Sequence, residues 1–404
     1  MSKLRSKFTS SFLKLKSYCE AENFKGWDPY DGMNSKVFQA LPLKHWDLGR
    51  ALWIQCFKHS PINFRKLLLV PKEHNAKGIG LFLLGYCRLY KAAQNGHEDF
   101  GTPEELLSQI KKLTALLLSM KAEGYSGACW GYNFDWQARR LFLFKKNTPT
   151  VVATAFSVEA LVESYEITKD ENVLKTIVSA ADFVLKDLSR TAHGKGFLFS
   201  YSVIDGNNTV INASLLGAKI LSFTYGYSKK EAHKDAARKA VLAACELQNE
   251  DGSWIYGLLP IQSWIDSFHT GFNLDAIETY QQHTGDPSFR TYLDKGWKYY
   301  TDYFFEADGK PKYYHNKTYP IDIHCPAQII VTASKLGEFN NQYNLLEKTV
   351  IWTIANMQHK KGYFYYQIKK GMSSKISYMR WSNAFMFNAM AHYVLETKTE
   401  NYGG

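Results

Sequence analysis

The stretch ACELQNEDGSWIYG, residues 244–257, sets Gln248, Gly252 and Trp254 in one short turn. A helix that runs up to Gln248 has to stop within it. Gly252 takes the left-handed backbone of a sharp helix exit without a Cβ penalty. The Gln248 amide can then hydrogen-bond backbone groups that the helix end leaves without partners. Trp254 is left to pack the exit strand between neighbouring helical pairs.

The arrangement repeats. Gly-containing turns with aromatics read MKAEGYSGACWGYNF (120–134), RTAHGKGFLFSYSV (190–203), EADGKPKYYHN (306–316) and MQHKKGYFYYQI (357–368). A spacing of roughly fifty to seventy residues suits two helices and two connections per repeat. The helices ahead of the turns are amphipathic. In TPEELLSQIKKLTALLLSMKAEG (102–124), Thr102 and Glu105 make a capping box around Pro103, and Leu106, Ile110, Leu113 and Leu117 form one apolar face. Ser228 and Glu231 suggest a second box. Asp286 and Pro287 open a helix whose stripe is Phe289, Leu293, Trp297 and Tyr300.

The helices after the turns are apolar or small almost all round, as in VINASLLGAKILSFTYGYS (210–228). A sixth of that kind lies in GIGLFLLGYCRLYKAAQNG (78–96). Outer amphipathic helices alternating with buried inner ones predict an all-α fold, an (α/α)6 toroid with short extended segments in its turns. Residues 41–404 are assigned to the toroid. Residues 1–40 are assigned to a basic helix and turn segment packed on it.

The 404 residues are long for one core but within reach of a toroid. The 26 Tyr, 25 Phe and 10 Trp are a surplus suited either to a cleft where sugar rings stack or to filling a wide ring. Six scattered cysteines with no CxxC pair give no zinc spacing and no disulfide framework, so no metal or cofactor is expected. The net charge of +11 suits an anionic partner, yet no Lys/Arg block exceeds two residues. An acidic oligo- or polysaccharide is therefore expected, and nucleic acid is not.

The stretch MSKLRSKFTSSFLKLKSYCE (1–20) has no secretory apolar run, and no later stretch is suited to span a membrane, so a cytoplasmic location is expected. Its Leu4, Phe8, Phe12 and Leu15 fall near one helical face among Lys and Arg. That face docks on the toroid or, alternatively, makes a peripheral contact with an anionic membrane.

Gln248, Gly252 and Trp254 together resemble the Gln-Trp repeat of the triterpene cyclase and prenyltransferase toroids, and Gln358, Gly362 and Phe364 are a softer copy. That resemblance implies a shared folding device and not shared chemistry, because the chain has no DxDD stretch. The six-hairpin layout is similar to that of carbohydrate-active toroids, including six-hairpin glycosidases and the helical domain of glucuronyl C5-epimerases. GWDPYDGMNS (26–35), WGYNFDWQARR (130–140), PIDIHCPAQ (320–328) and SYMRWSNAFM (377–386) resemble segments of uncharacterised polysaccharide-biosynthesis proteins. The resemblance implies a sugar-related role and transfers no catalytic set.

Connections leading into inner helices converge at one end of a toroid, so their polar residues are the site candidates. The first offers Trp130, Tyr132, Asp135, Trp136, Arg139 and Arg140. SWIDSFHTGFNL (263–274) offers Trp264, Asp266, His269 and Asn273, where Asp266 either orients His269 for proton transfer or caps the helix. Asp322 and His324 fall on one side of an extended segment, as a proton-transfer pair requires. Arg380 and Trp381 complete the set. The turn with Asp28, Tyr30 and Asp31 could fold over the cavity as a lid.

Tyr132, His269 and His324 are the candidates for proton transfer, Arg139 and Arg380 for carboxylate recognition, and Trp130, Trp264 and Trp381 for ring stacking. One chemistry is removal of the C5 proton of a uronic acid, giving epimerisation or elimination. Another is glycoside hydrolysis by two of Asp135, Asp266 and Asp322. A non-catalytic glycan-binding or scaffold protein would need the aromatics but not the histidines.

Overall fold

The computed structural model describes residues 2–138 and 142–397. The chain opens with α1 (Ser2–Ala21), then a stretch that holds the short α2 (Lys36–Ala40) and α3 (Asp47–His59). Inner and outer helices then alternate. They are α4 (Ala76–Gln94), α5 (Pro103–Ser119), α6 (Val151–Thr168), α7 (Glu171–Asp182), α8 (Ile211–Ser228) and α9 (Glu231–Glu246). After these come α10 (Ser267–Thr284), α11 (Arg290–Tyr303), α12 (His324–Lys335), α13 (Tyr343–Met357) and α14 (Phe385–Glu396). The even-numbered helices from α4 onward pack side by side, and α14 returns to α4 to close an inner ring of six. The fold is the (α/α)6 toroid that the alternation predicts.

The turn at 248–254 shows how the ring is held. Gln248 Nε2 donates to Gly252 O and, across to the next outer helix, to Tyr292 O, both at 2.9 Å. Gly252 has φ +92°, and a Cβ there would stand 2.4 Å from Lys295 O of α11. Trp254 is buried, its Nε1 donating to Ala244 O at 2.9 Å. One turn thus ends α9 and clamps α11.

The turn at 358–364 repeats these contacts. Gln358 Nε2 donates to Gly362 O at 3.0 Å and to Ser11 O at 2.9 Å. The helix it clamps is α1, which therefore takes the sixth outer position. Phe8 packs against Tyr393 at 4.9 Å, and Phe12 against Phe100 and Phe387 at 4.7 and 5.2 Å between ring centres. Phe8, Phe12 and Leu15 are thus buried against the ring, the docking alternative expected of this face; the side chain of Leu4 lies outside the described residues. Among the described residues no helix is long and apolar enough to cross a membrane.

The capping box of Thr102 and Glu105 forms around Pro103. The box expected of Ser228 and Glu231 does not, because α8 runs on through Ser228 and the chain turns at left-handed Lys229. Ser228 Oγ instead accepts from Lys230 N–H at 3.3 Å.

Small antiparallel sheets sit in the turns. They pair β1 (Trp136–Gln137) with β2 (Leu143–Phe144) and β3 (Arg190–His193) with β4 (Gly196–Phe199). A third runs β5 (Ile321–Asp322), β6 (Tyr365–Ile368), β7 (Ser374–Ser377).

The toroid axis is filled. Phe156, Phe272 and Phe385 meet there with ring centres 5.4 to 6.2 Å apart. Farther along the inner helices, Glu159 of α6 pairs with Lys219 of α8 at 2.8 Å and with Lys335 of α12, which reaches Asp275 of α10 at 3.3 Å. Burial opposes the Glu159 charge, but the two lysines outweigh it and hold the carboxyl at about 2. The space left at the axis is about 10 Å³, room for one water at most.

Candidate active site

The N-termini of the inner helices define the mouth of the toroid, and their unpaired N–H groups attract acidic caps. Asp266 caps α10, its Oδ1 accepting from His269 N–H at 3.0 Å. The same carboxylate takes His269 Nδ1 at 2.8 Å and Trp264 Nε1–H at 2.9 Å on Oδ2. Capping and orienting, the two roles left open by the sequence, are thus filled by one side chain. An ionised carboxylate only accepts, so Nδ1 carries the proton and Nε2 is left as the base.

Asp322 and His324 repeat the design. Asp322 Oδ1 accepts from His324 N–H at 3.0 Å, His324 Nδ1 at 3.1 Å and Trp381 Nε1 at 3.1 Å. Its Oδ2 accepts from Gln367 Nε2 at 3.2 Å, set opposite by the β5–β6 register. Phe268 separates the two imidazoles, its ring centre 4.4 Å from His269 and 4.9 Å from His324.

The surroundings of the two histidines differ. The His269 side chain keeps 21% exposure, whereas that of His324 keeps 2%. Trp381 and Phe385 cover His324 at 4.3 and 3.8 Å between ring centres. Burial lowers the His324 pKa to about 4, with Lys77 and Arg380 adding to the shift and Asp322 opposing it. His324 is therefore neutral near pH 7, the form a base needs.

Lys77 was not singled out by the sequence. It sits in the first turn of α4, with Nζ over the rings of Phe156, Phe385 and Phe272 at 4.1, 4.9 and 5.4 Å. It is 4% exposed and has no carboxylate partner among the described residues. Burial, and next the Arg380 guanidinium, push its pKa well below the usual lysine range.

Arg380 does hold a carboxylate, but one from its own chain. Its Nε and Nη2 donate to the two oxygens of Asp28 at 2.5 and 2.8 Å. Its guanidinium lies over the rings of Tyr132 and Trp381 at 5.1 and 5.0 Å. Asp31 of the same turn pairs with Arg65 at 2.7 Å. Tyr30, in the same turn, approaches Trp381 and Trp136 at 5.7 and 6.0 Å between ring centres. The space beside this turn is about 10 Å³, and a groove of about 950 Å³ runs instead along α1, lined by no residue of either Asp–His pair.

The remaining candidates divide. Tyr132 is buried and stacked on Phe134, and burial raises its pKa, so its hydroxyl stays protonated as a donor. Trp264 stacks on Tyr256 at 4.6 Å beside His269, and Trp136 on Phe144 at 4.4 Å. Asn273, one turn beyond His269, is buried with Oδ1 lacking a partner. Asp135 locks a turn, accepting Lys146 N–H at 2.6 Å and facing Lys145 at 3.4 Å. Trp130 needs correction. It is fully buried with Nε1 donating to Leu117 O at 2.9 Å, so it wedges its turn as Trp254 does and has no face for a sugar. Arg139 and Arg140 lie outside the described residues. Among the described residues no three His, Cys, Asp or Glu side chains gather to hold a metal.

No family model matches the chain, and no curated protein matches its sequence. Solved structures do match it in fold. A cellobiose 2-epimerase from Bacillus thermoamylovorans aligns with TM-score 0.59 at 12% identity, over 81% of this chain and 90% of its own. An unsaturated glucuronyl hydrolase specific for heparin gives 0.60 at 12%, over 96% of both chains. A family 76 glycoside hydrolase (mannosidase) from Bacteroides thetaiotaomicron gives 0.58 at 9%, over 96% of this chain and 98% of its own. At these identities the likeness establishes the toroid that the chains share.

Proposed function

We propose that the protein is a cytoplasmic carbohydrate-active enzyme that moves a proton at carbon on an acidic, uronic-acid-containing glycan, as an epimerase or lyase does. The observation that carries this reading is the pair of carboxylate-backed histidines on either side of Phe268. Epimerisation needs one group to remove a proton and another to deliver one, and two imidazoles with free Nε2 atoms can do both. Removing a proton beside a carboxyl builds negative charge on its oxygens. Lys77, which has no carboxylate partner among the described residues, and the Tyr132 O–H are available to hold that charge. An entering carboxylate would raise the proton affinity of Lys77, so binding should take up a proton.

Sugar chemistry on this fold is what the epimerase and glucuronyl hydrolase neighbours support. Hydrolysis by paired aspartates fits less well, because Asp266 and Asp322 each serve a histidine and an indole, and Asp135 is held by its turn. In this reading a substrate carboxylate takes the Arg380 guanidinium that Asp28 now holds. Substrate binding therefore has to displace the 28–31 turn.

The test is incubation with uronic-acid glycans in D2O, read by NMR and mass spectrometry. Deuterium at C5 is expected, and it should disappear with His269→Asn or His324→Asn. New reducing ends without exchange would sink proton abstraction in favour of hydrolysis.

A further inference from the structure

Large apolar side chains are exposed unevenly. Seven of the fifteen exposed among the described residues fall within residues 46–69, including Trp46 at 63%, Leu48 at 71% and Leu67 at 75%. On α3, Leu48, Leu52 and Cys56 follow one another at helical spacing on the outward face, while Gly49, Arg50, Ile54 and Phe57 turn inward. The inward face is matched, Ile54 packing with Met33 and Phe38. The outward leucines have nothing against them.

The charge around this face is mostly basic. Residues 32–72 contain seven Lys and Arg and a single acid, Asp47. Arg50 pairs with Asp47, Arg65 is buried against Asp31 and Lys72 pairs with Glu22, which leaves Lys36, Lys44, Lys58 and Lys66 without a carboxylate partner among the described residues. Lys369, on the hairpin between β6 and β7, comes within 3.4 Å of His59 and extends the basic fringe. The face is also anchored to the mouth. Trp53 Nε1 donates to Gly32 O at 2.9 Å, and Lys58 Nζ to the Tyr30 hydroxyl at 2.7 Å.

A face of this size is more than ordinary surface scatter of apolar groups. A helix that presents leucines outward, with a tryptophan at its start and lysines around it, has the chemistry of one lying in a headgroup plane. A second copy of the chain would set like charge against like. We propose that residues 44–69 dock the protein on an anionic lipid bilayer, with α3 in the interface and the toroid mouth turned toward it. The element is not α1, and the proposal stands independently of the enzymatic reading.

Cys56 is the one exposed cysteine of six, so the intact chain can carry a single nitrobenzoxadiazole label within the stripe. Its emission should rise and shift to the blue with vesicles containing about a third phosphatidylglycerol, and not with pure phosphatidylcholine. Leu52→Glu with Leu67→Glu should weaken co-flotation about a hundredfold, since each leucine leaving water contributes about tenfold or more. Lys66→Glu should weaken it about tenfold, and wild-type binding should fall as salt is added. All three positions are exposed, so circular dichroism should match wild type. The proposal is overturned if the label does not respond and the protein does not float with anionic vesicles. Binding that survives the double leucine substitution overturns it too. A concentration-dependent dimer abolished by that substitution, without flotation, would assign the face to a second copy instead.

Discussion

Replacing Gly362 with alanine should unseat α1. The residue sits at φ +101°, where an L side chain costs about 1 kcal/mol. The new Cβ would stand 2.2 Å from Lys14 O and 2.5 Å from Lys14 C, backbone atoms that no rotamer change can move. α1 must draw back, at an overpacking cost of about 1–3 kcal/mol. Withdrawal also stretches the bond from Gln358 to Ser11 O, about 1 kcal/mol more. The total is about 3–5 kcal/mol. Gly124→Ala supplies the control, because Gly124 has φ +85° and nothing within 4 Å of an added Cβ. It should lose only the strain, about 1 kcal/mol. Urea unfolding of both variants gives the difference, and hydrogen exchange in residues 2–21 shows whether the loss is local to α1. Equal losses, or exchange in α1 unchanged by Gly362→Ala, would refute the claim that this glycine exists for helix approach.

Three further outcomes are expected. Unfolded His324 binds a proton below about pH 6.5 but the folded residue only below about 4, so acidification favours the unfolded chain. Stability should fall by about 2–3 kcal/mol between pH 7 and 4.5 from this residue alone. Urea unfolding of His324→Gln should lack that increment, and identical pH slopes would contradict a buried neutral imidazole. Asp28→Ala should strand the Arg380 charge at about 3–5 kcal/mol, most of it recovered in Asp28→Ala with Arg380→Met; additive losses in the double-mutant cycle would rule out the pairing. In the C5-exchange assay, Asp266→Asn should lower turnover about 10²–10⁴-fold, Trp264→Ala should chiefly raise KM, and Trp130→Phe should alter stability alone. A changed KM in Trp130→Phe would return that residue to the site.

The fold was legible where its devices are local. Gln248 bonds to Gly252 four residues on, and Trp254 to Ala244 ten residues back, so the spacing itself encodes the turn. The role of α1 was not, because its clamp comes from Gln358, 347 residues away, and an amphipathic pattern does not say what covers the apolar face. At the site, both Asp–His pairs could be read from spacings of two and three residues. Arg380 could be recognised as a carboxylate holder, but not that Asp28 would fill it from 352 residues away. Lys77 escaped notice because its cage is assembled from three helices. Trp130 carries a sequence signal for its structural role. Gly127 stands three residues before it, as Gly252 stands two before Trp254, and a Cβ on Gly127 would meet Ser179 O of the next outer helix.

The place of α1 in the ring bears on how the chain is synthesised. Made from its first residue onward, the chain produces α1 long before the elements that hold it. Phe387, Tyr393 and Gln358 each follow the α1 residue they contact by more than 340 residues. Inner helices α4 to α12 can assemble by neighbour contacts as each emerges, but the gap between α13 and α5 stays open until α14 is complete. Until then the apolar side of α1 is only partly covered, Phe12 by Phe100, and stays available to chaperones. Closure of the toroid should therefore await the synthesis of α14, and a chain stalled before residue 358 should expose α1 to proteases that the finished ring resists.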